Sequence, residues 1–220
     1  MKISKFLHSC ILLEQGDSKI LFDPGTYCFM EGKVKAEDFK NISGIFITHA
    51  HPDHFDIEAL KIIIKNNPQC KIYTNSDMGQ VLSENGISFE QFEDGEIELR
   101  PFKIQAFFAA HAPILKRQMV KNTAFFVNEK FLHPGDSYAE SVMQLSPEIL
   151  ALPVAGPWMD MNAGANFTYK CHAKTVLPIH DEHIKQFFST NMYKIWETGL
   201  ADQGVKFVSM LNAGDSITID

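Results

Sequence analysis

The sequence predicts an α/β (α+β) fold in one domain over residues 1–220, a four-layer αββα sandwich in which two packed sheets carry helices on their outer faces. Three observations lead there. Strand-like segments fall into two sets, each followed by helical segments, which is the pattern of packed layers. No Pro/Gly/Ser-rich linker, low-complexity stretch or run of like charge divides the chain. A length of 220 residues with 45% apolar content lets a sizeable core form without disulfides or a structural metal.

The elements follow in order. Short runs at residues 2–6, 10–14 and 19–22 read as strands, with Gln15-Gly16-Asp17-Ser18 turning between the last two. Asp23-Pro24-Gly25 stops the third. Residues 26–43 read as a loop with a short helix, and residues 44–48 as a buried strand rich in β-branched and aromatic side chains. A helix over 56–66 places Ile57, Leu60, Ile63 and Ile64 on one face, with Asp56 as its cap. A strand at 71–74 precedes a helix over 78–84 that Asn85-Gly86 ends. Strands recur at 97–99, 102–108, 124–127 and 130–133, helices at 138–144 and 163–171. A strand at 175–178 leads into a helix over 183–197, and strands at 207–210 and 216–219 close the chain.

Composition narrows the function classes. The net charge of -7 argues against general nucleic-acid binding, which draws its affinity from clustered Lys and Arg. No apolar run after Met1-Lys2-Ile3 matches a signal-peptide core, and none approaches a membrane span. Cys10, Cys28, Cys70 and Cys171 form no CxxC pair and fit no thiolate zinc site, so they read as reduced thiols of a cytoplasmic protein. Oligomeric state stays open.

The chemistry concentrates in Thr48-His49-Ala50-His51-Pro52-Asp53-His54, directly after a strand and before a helix. His49 and His51 are two apart, so extended backbone turns both imidazoles to one side. Asp53 and His54 follow on the turn that Pro52 starts. Four potential ligands at one strand end can surround more than one metal ion, and imidazole with carboxylate suits zinc, iron or manganese.

This HxHxDH pattern resembles the metallo-β-lactamase superfamily. The further elements of that family occur in order: a histidine at a strand end in Phe107-Phe108-Ala109-Ala110-His111, an aspartate in the Gly-Asp turn of His133-Pro134-Gly135-Asp136, and a late histidine in Val176-Leu177-Pro178-Ile179-His180. The resemblance implies that His49, His51 and His111 hold one divalent ion and Asp53, His54 and His180 a second, with Asp136 bridging. Zinc is the expected metal, with manganese and iron as alternatives. It implies hydrolysis by a hydroxide shared between the ions, with Asp53 also handling protons. Diiron oxygen-reducing members carry glutamate at the position of His51, so the histidine here points to hydrolysis. Leu7-His8-Ser9-Cys10, Leu21-Phe22-Asp23-Pro24 and Leu152-Pro153-Val154 resemble the branch of ascorbate-6-phosphate lactonase and N-acyl-phosphatidylethanolamine-type phospholipase D.

Around this set, Asp23 reads either as a turn cap or as a carboxylate orienting a ligand imidazole. His8 reads as a satisfied structural histidine, with a place beside the metals as its alternative, and Thr48 as a strand residue. His172 reads as solvated on a surface helix, while His133 and His183 stand close enough in sequence to Asp136 and His180 to line the pocket. Three loops are candidate pocket walls: 26–40 with Tyr27, Phe29 and Met30; 113–121 with Lys116, Arg117 and Lys121; and Gly156-Pro157-Trp158-Met159-Asp160-Met161. The basic loop is a solvated face or a grip on a phosphate or carboxylate. The expected substrate is a small anionic lactone, ester or phosphoester. Phosphodiester cleavage on the same scaffold, and a non-catalytic metal-binding regulator, are the competing readings.

Overall fold

A computed structural model describes residues 1–220. The first sheet comprises β1 (Lys2–Leu7), β2 (Cys10–Gln15), β3 (Ser18–Phe22), β4 (Ile42–Ile47), β5 (Lys71–Thr74), β6 (Glu90–Gln91) and, at its edge, β14 (Asp215–Thr218), in the order β14-β1-β2-β3-β4-β5-β6. The second comprises β7 (Gly95–Leu99), β8 (Phe102–Phe108), β9 (Thr123–Val127), β10 (Phe131–His133), β11 (Ile149–Pro153), β12 (Thr175–Ile179) and β13 (Lys206–Phe207), in the reverse of chain order. Helices α1 (Thr26–Phe29), α2 (Ile57–Asn66) and α3 (Ser76–Glu84) accompany the first sheet, α4 (Met161–Lys170) and α5 (Gln186–Ala201) the second.

Three buried layers hold this sandwich together, and strand alternation assigns the residues to them. Phe22, Phe46 and Tyr73 of the first sheet meet Phe125, Phe131, Ile149 and Leu177 of the second in the central layer. Their chain neighbours Leu21, Ile45 and Ile72 turn the other way, onto Leu60, Ile63, Met78 and Leu82. Leu132, Leu150 and Val176 do the same toward Phe167, Trp196 and Leu200. Strands covered on both faces therefore read as continuous apolar runs. Truncating one of the fully buried phenylalanines, such as Phe46, would cost about 3–5 kcal/mol. Asp56 caps α2 as predicted, accepting from Ala59 N–H at 2.9 Å.

Three local expectations are corrected, and β11 lies where the sequence reading assigned no strand. Residues 138–144 do not form an α-helix; a 3-10 turn occupies Glu140–Leu145. Helix α5 begins at Gln186 rather than at His183, since residues 181–185 stay irregular beside the end of β1. The strand expected at 207–210 is limited to Lys206–Phe207, and Met210 belongs to a following loop.

Candidate metal centre

The exits of β4, β8, β10 and β12 converge at one end of the sandwich. After β4, His49 bridges across to Asn122 beside the second sheet. The turn that follows closes with His54 N–H donating to the His51 carbonyl at 2.9 Å. Gly25 packs directly beneath this turn, where a Cβ would run into the Asp53 carbonyl. After β10, Gly135 takes φ +62°, a left-handed conformation suited to glycine, and Asp136 N–H donates to Asn122 Oδ1 at 3.2 Å. After β12, His180 itself takes φ +65°.

The structure brings the seven sequence-predicted residues together as two adjoining clusters. His49, His51, His111 and Asp136 form the first; Asp53, His54 and His180, joined by His8, form the second, and within each the donor atoms lie inside 4.8 Å of one another. Asp136 stands between them: its Oδ2 is 3.0 Å from His180 Nε2, 3.5 Å from His111 Nε2 and 3.8 Å from His49 Nε2, and its Oδ1 is 3.1 Å from His54 Nε2. Asp53 Oδ2 lies 3.1 Å from His180 Nε2.

Hydrogen bonding orients the rings. His54 Nδ1 pairs with Asp23 Oδ2 at 2.7 Å, His111 Nδ1 with the Ala112 carbonyl at 2.6 Å, and His49 Nδ1 with Thr48 Oγ1 at 2.9 Å. Each of those nitrogens acts as a donor, which leaves the Nε2 lone pair aimed into the cluster. His49 Nε2, His54 Nε2, His111 Nε2 and Asp136 Oδ1 are buried and make no hydrogen bond. Buried polar atoms without partners are rare and costly. Convergent imidazole and carboxylate donors are what a divalent cation of the zinc, iron or manganese type accepts, so the residues fit a metal pair.

Electrostatics agree with that fit. Burial pushes Asp53 and Asp136 upward, yet neighbouring His180, His8, His54 and His111 outweigh it and hold both carboxyls well below the usual range. Burial opposes a proton on His180, but Asp136 and Asp53 raise it to about 9; His54 is likewise raised by Asp136 and Asp23. Without a cation between the carboxylates, protons gather on these two rings.

The residues around the set take definite roles. Asp23 takes the second of its two readings and orients an imidazole: it accepts from Thr48 N–H at 2.8 Å, from Thr48 Oγ1 at 2.7 Å and from His54 Nδ1. Thr48 is therefore more than a strand residue, because its hydroxyl relays Asp23 to His49. His8 meets both of its readings: its ring is satisfied, Glu182 N–H donating to Nδ1 at 3.3 Å and Nε2 donating to Asp53 Oδ2 at 3.2 Å, and it stands in the second cluster. Burial lowers His8 to about 3, so it is neutral.

Of the remaining histidines, His183 lines the cavity over the clusters. His133 does not; it is buried, pairs with the Ser9 carbonyl and accepts from Gly135 N–H. His172 is exposed just past α4. The cavity, about 340 Å³, is walled by Tyr27, Ile114, Arg117, Pro157 and Trp158. Trp158 Nε1 donates to Asp136 Oδ2 at 3.2 Å, so its loop does more than pack. Phe29 packs on Phe39, and Met30 is exposed. The basic loop splits: Arg117 reaches the cavity wall, Lys116 is exposed and not part of it, and the Lys121 amine binds Ser76 and Glu93. Sequence reading missed Asn122, whose amide donates to the Ala109 and Pro134 carbonyls and so ties the His111 and Asp136 exits together. Its one signal was an asparagine directly before an apolar strand.

Comparison with known proteins agrees with fold and site. The family described as Beta-lactamase superfamily domain matches residues 2–180. Protein Rv0786c of Mycobacterium tuberculosis is 30% identical over 186 residues, covering 82% of this chain and 84% of its own. A UPF0173 metal-dependent hydrolase of Pyrococcus abyssi is 26% identical over 194 residues, covering 80% and 83%. A metallo hydrolase of the archaeon Ignicoccus hospitalis shares the fold with a TM-score of 0.72 at 20% identity, covering 100% of this chain and 98% of its own. The class is thus a metal-dependent hydrolase of the metallo-β-lactamase fold. Within it, the chain belongs to the beta-lactamase superfamily domain family.

Proposed function

We propose that this enzyme uses a dinuclear metal centre to hydrolyse a lactone, ester or phosphoester on a small anionic molecule. One observation carries the reading: the buried Nε2 atoms of His49, His54 and His111 and Oδ1 of Asp136, none with a hydrogen bond, lie within two adjoining clusters of imidazole and carboxylate donors. Each unpaired group costs about 1–3 kcal/mol, a cost that a shared cation removes. His49, His51 and His111 would hold one ion, Asp53, His54 and His180 the other, with Asp136 between them; zinc is the metal we propose, and manganese or iron take the same donor types. When bound, the ions supply an acidified water with a pKa near about 7 and positive charge for the oxyanion that develops on attack.

The chain's own groups do the rest. Asp53, its side chain 20% exposed, lines the cavity, and we assign it proton handling as well as ligation. His8 donates to the same oxygen and keeps it oriented. Tyr27, Pro157 and Trp158 shape the cavity, and Arg117 at its wall supports an anionic substrate. No helix is long and apolar enough to cross a membrane. The four cysteines are free thiols, which supports a cytoplasmic setting. The test is elemental analysis of protein prepared without chelator, then turnover of lactones, esters, phosphodiesters, thioesters and amides with and without chelator. About two transition-metal ions per chain and chelator-sensitive turnover are expected. Protein that binds no metal even after added zinc or manganese ends the proposal. The lactone arm also tests the branch resemblance that His8 and Asp23 carry.

A further inference from the structure

The second cluster takes His8, Asp53 and His54 from the end of the first sheet and only His180 from the second. Its backbone at φ +65° is one that L side chains adopt reluctantly, so the turn after β12 must be held from outside. Three consecutive residues of that turn are tied to the end of β1. His180 N–H donates to the His8 carbonyl at 3.3 Å, and Glu182 N–H donates to His8 Nδ1 at 3.3 Å. Between them, Lys5 Nζ donates to both carboxylate oxygens of Asp181 at 2.7 Å. Tyr193 of α5 donates its hydroxyl to Asp181 as well, and Lys5 reaches the Met210 carbonyl at 3.4 Å. Lys5 and Asp181 are 2% and 7% exposed. On the β1 side, Leu7 at φ +124° and His8 at φ +49° are also held in left-handed backbone.

A buried ion pair is a poor source of net stability, because its attraction is spent against the desolvation of two charges. Apolar residues of similar volume often serve equally well there. This pair adjoins a proposed metal ligand and spans the two sheets. We infer that Lys5, Asp181 and Tyr193 form a positioning staple: Lys5 on the first sheet holds Asp181, and through it the His180 imidazole, against Asp53 and His54, and so sets the second metal position. None of the three lines the cavity over the clusters; they act through His180. The inference rests on the dinuclear reading above.

Zinc titration against a chromophoric chelator, with thermal unfolding alongside, separates positioning from plain stability. Lys5→Met strands a buried carboxylate and should lower Tm by on the order of 10 °C. The double variant Lys5→Met/Asp181→Leu removes both charges and should recover most of that loss. If the pair positions His180, the double variant still binds its first zinc as the wild type does, while the second binds about 10–100-fold more weakly. Tyr193→Phe, which removes only a hydroxyl, should show a smaller loss confined to the second ion, and it carries the test if the double variant does not fold. A double variant, or failing that Tyr193→Phe, that binds both ions with wild-type affinity overturns the staple and leaves the metal centre standing. Wild-type protein that binds no zinc overturns the metal centre, and the staple with it.

Discussion

The two sheets share one plan. Each runs through three antiparallel ladders and then three parallel ones, β14-β1-β2-β3 and β3-β4-β5-β6 in the first, β7-β8-β9-β10 and β10-β11-β12-β13 in the second. The matching strands β3 and β10 leave their sheets through matching turns, Asp23-Pro24-Gly25 and His133-Pro134-Gly135. Asp23 and His133 occupy equivalent places, with His133 Nε2 3.8 Å from Asp23 Oδ2. The difference lies in where each turn puts its carboxylate. In the first sheet it precedes the Pro-Gly pair and points back to hold Thr48 and His54. In the second it follows the pair, and Asp136 extends into the space between the clusters. A shift of a few residues along the same turn separates a group that orients from a group that faces both proposed ions.

Asp136→Ala should separate the two roles most sharply. It removes the one carboxylate common to both clusters, so metal stoichiometry should fall toward zero and kcat/KM on a confirmed substrate should drop on the order of 10³-fold or more. Asp53→Ala and His180→Ala should also abolish turnover, but with metal lost mainly from the second cluster. If Asp136→Ala retained two ions and near wild-type turnover, the central place given to this carboxylate would be wrong.

Asp23→Asn should act less strongly and differently. The ion pair to His54 is lost while the ligands remain, and zinc affinity should fall by about 10–100-fold, the usual cost of an orienting partner. His133→Gln, its counterpart, should leave zinc affinity unchanged and lower only Tm, because His133 is hydrogen-bonded to Ser9 and Gly135 and to no proposed ligand. Equal losses of zinc affinity in the two variants would erase the contrast between the turns.

The same comparison explains how much was legible in the sequence. The first sheet delivers His49, His51, Asp53 and His54 within six residues, so periodicity and donor type exposed them. The second delivers His111, Asp136 and His180 singly, each recognisable only by its order after a strand. What escaped reading depends on distant partners. Thr48 acquires its role from Asp23, 25 residues earlier, and Lys5 from Asp181, 176 residues later. Nothing local marks Asn122 as a tie between two exits, and nothing local distinguishes Arg117 at the cavity from Lys121 on Glu93.

Titration gives a third separation, between the metal-free and metal-loaded protein. Burial holds His8, His49, His51 and His133 below the ordinary histidine value, so they are neutral in folded and unfolded chains above pH 7. The raised pair, His54 and His180, still titrates there. A raised folded value means stability that is complete below the unfolded value of 6.5 and lost as pH climbs through about 9 for His180. The metal-free protein should therefore lose roughly 5–10 °C of Tm between pH 6.5 and 9. Zinc binding should release protons across this window, so the zinc-loaded protein should not show the fall. Parallel Tm profiles for both forms would mean that protons and metal do not compete for these rings.

The smallest effect concerns the cavity mouth, where the two ends of the basic loop should part company. Arg117 lies on the wall formed with Tyr27, Ile114 and Trp158, facing Asp53 and Asp136 across about 340 Å³. A guanidinium can take two oxygens of a phosphate or carboxylate at once, adding a directed grip to the charge that the proposed ions would supply. Arg117 is exposed, which limits its contribution through screening. Arg117→Gln should raise KM for an anionic substrate by about 3–10-fold with kcat little changed, a loss within the range of one charge-assisted hydrogen bond. The increase should shrink as salt is added and vanish for a neutral analogue of the substrate. Lys121→Gln should leave KM unaltered, because its amine is already paired with Glu93 and Ser76, and Lys116→Gln should do the same from its place off the wall. Equal changes in KM for all three variants would mean that diffuse charge on the loop, and not one placed guanidinium, attracts the substrate.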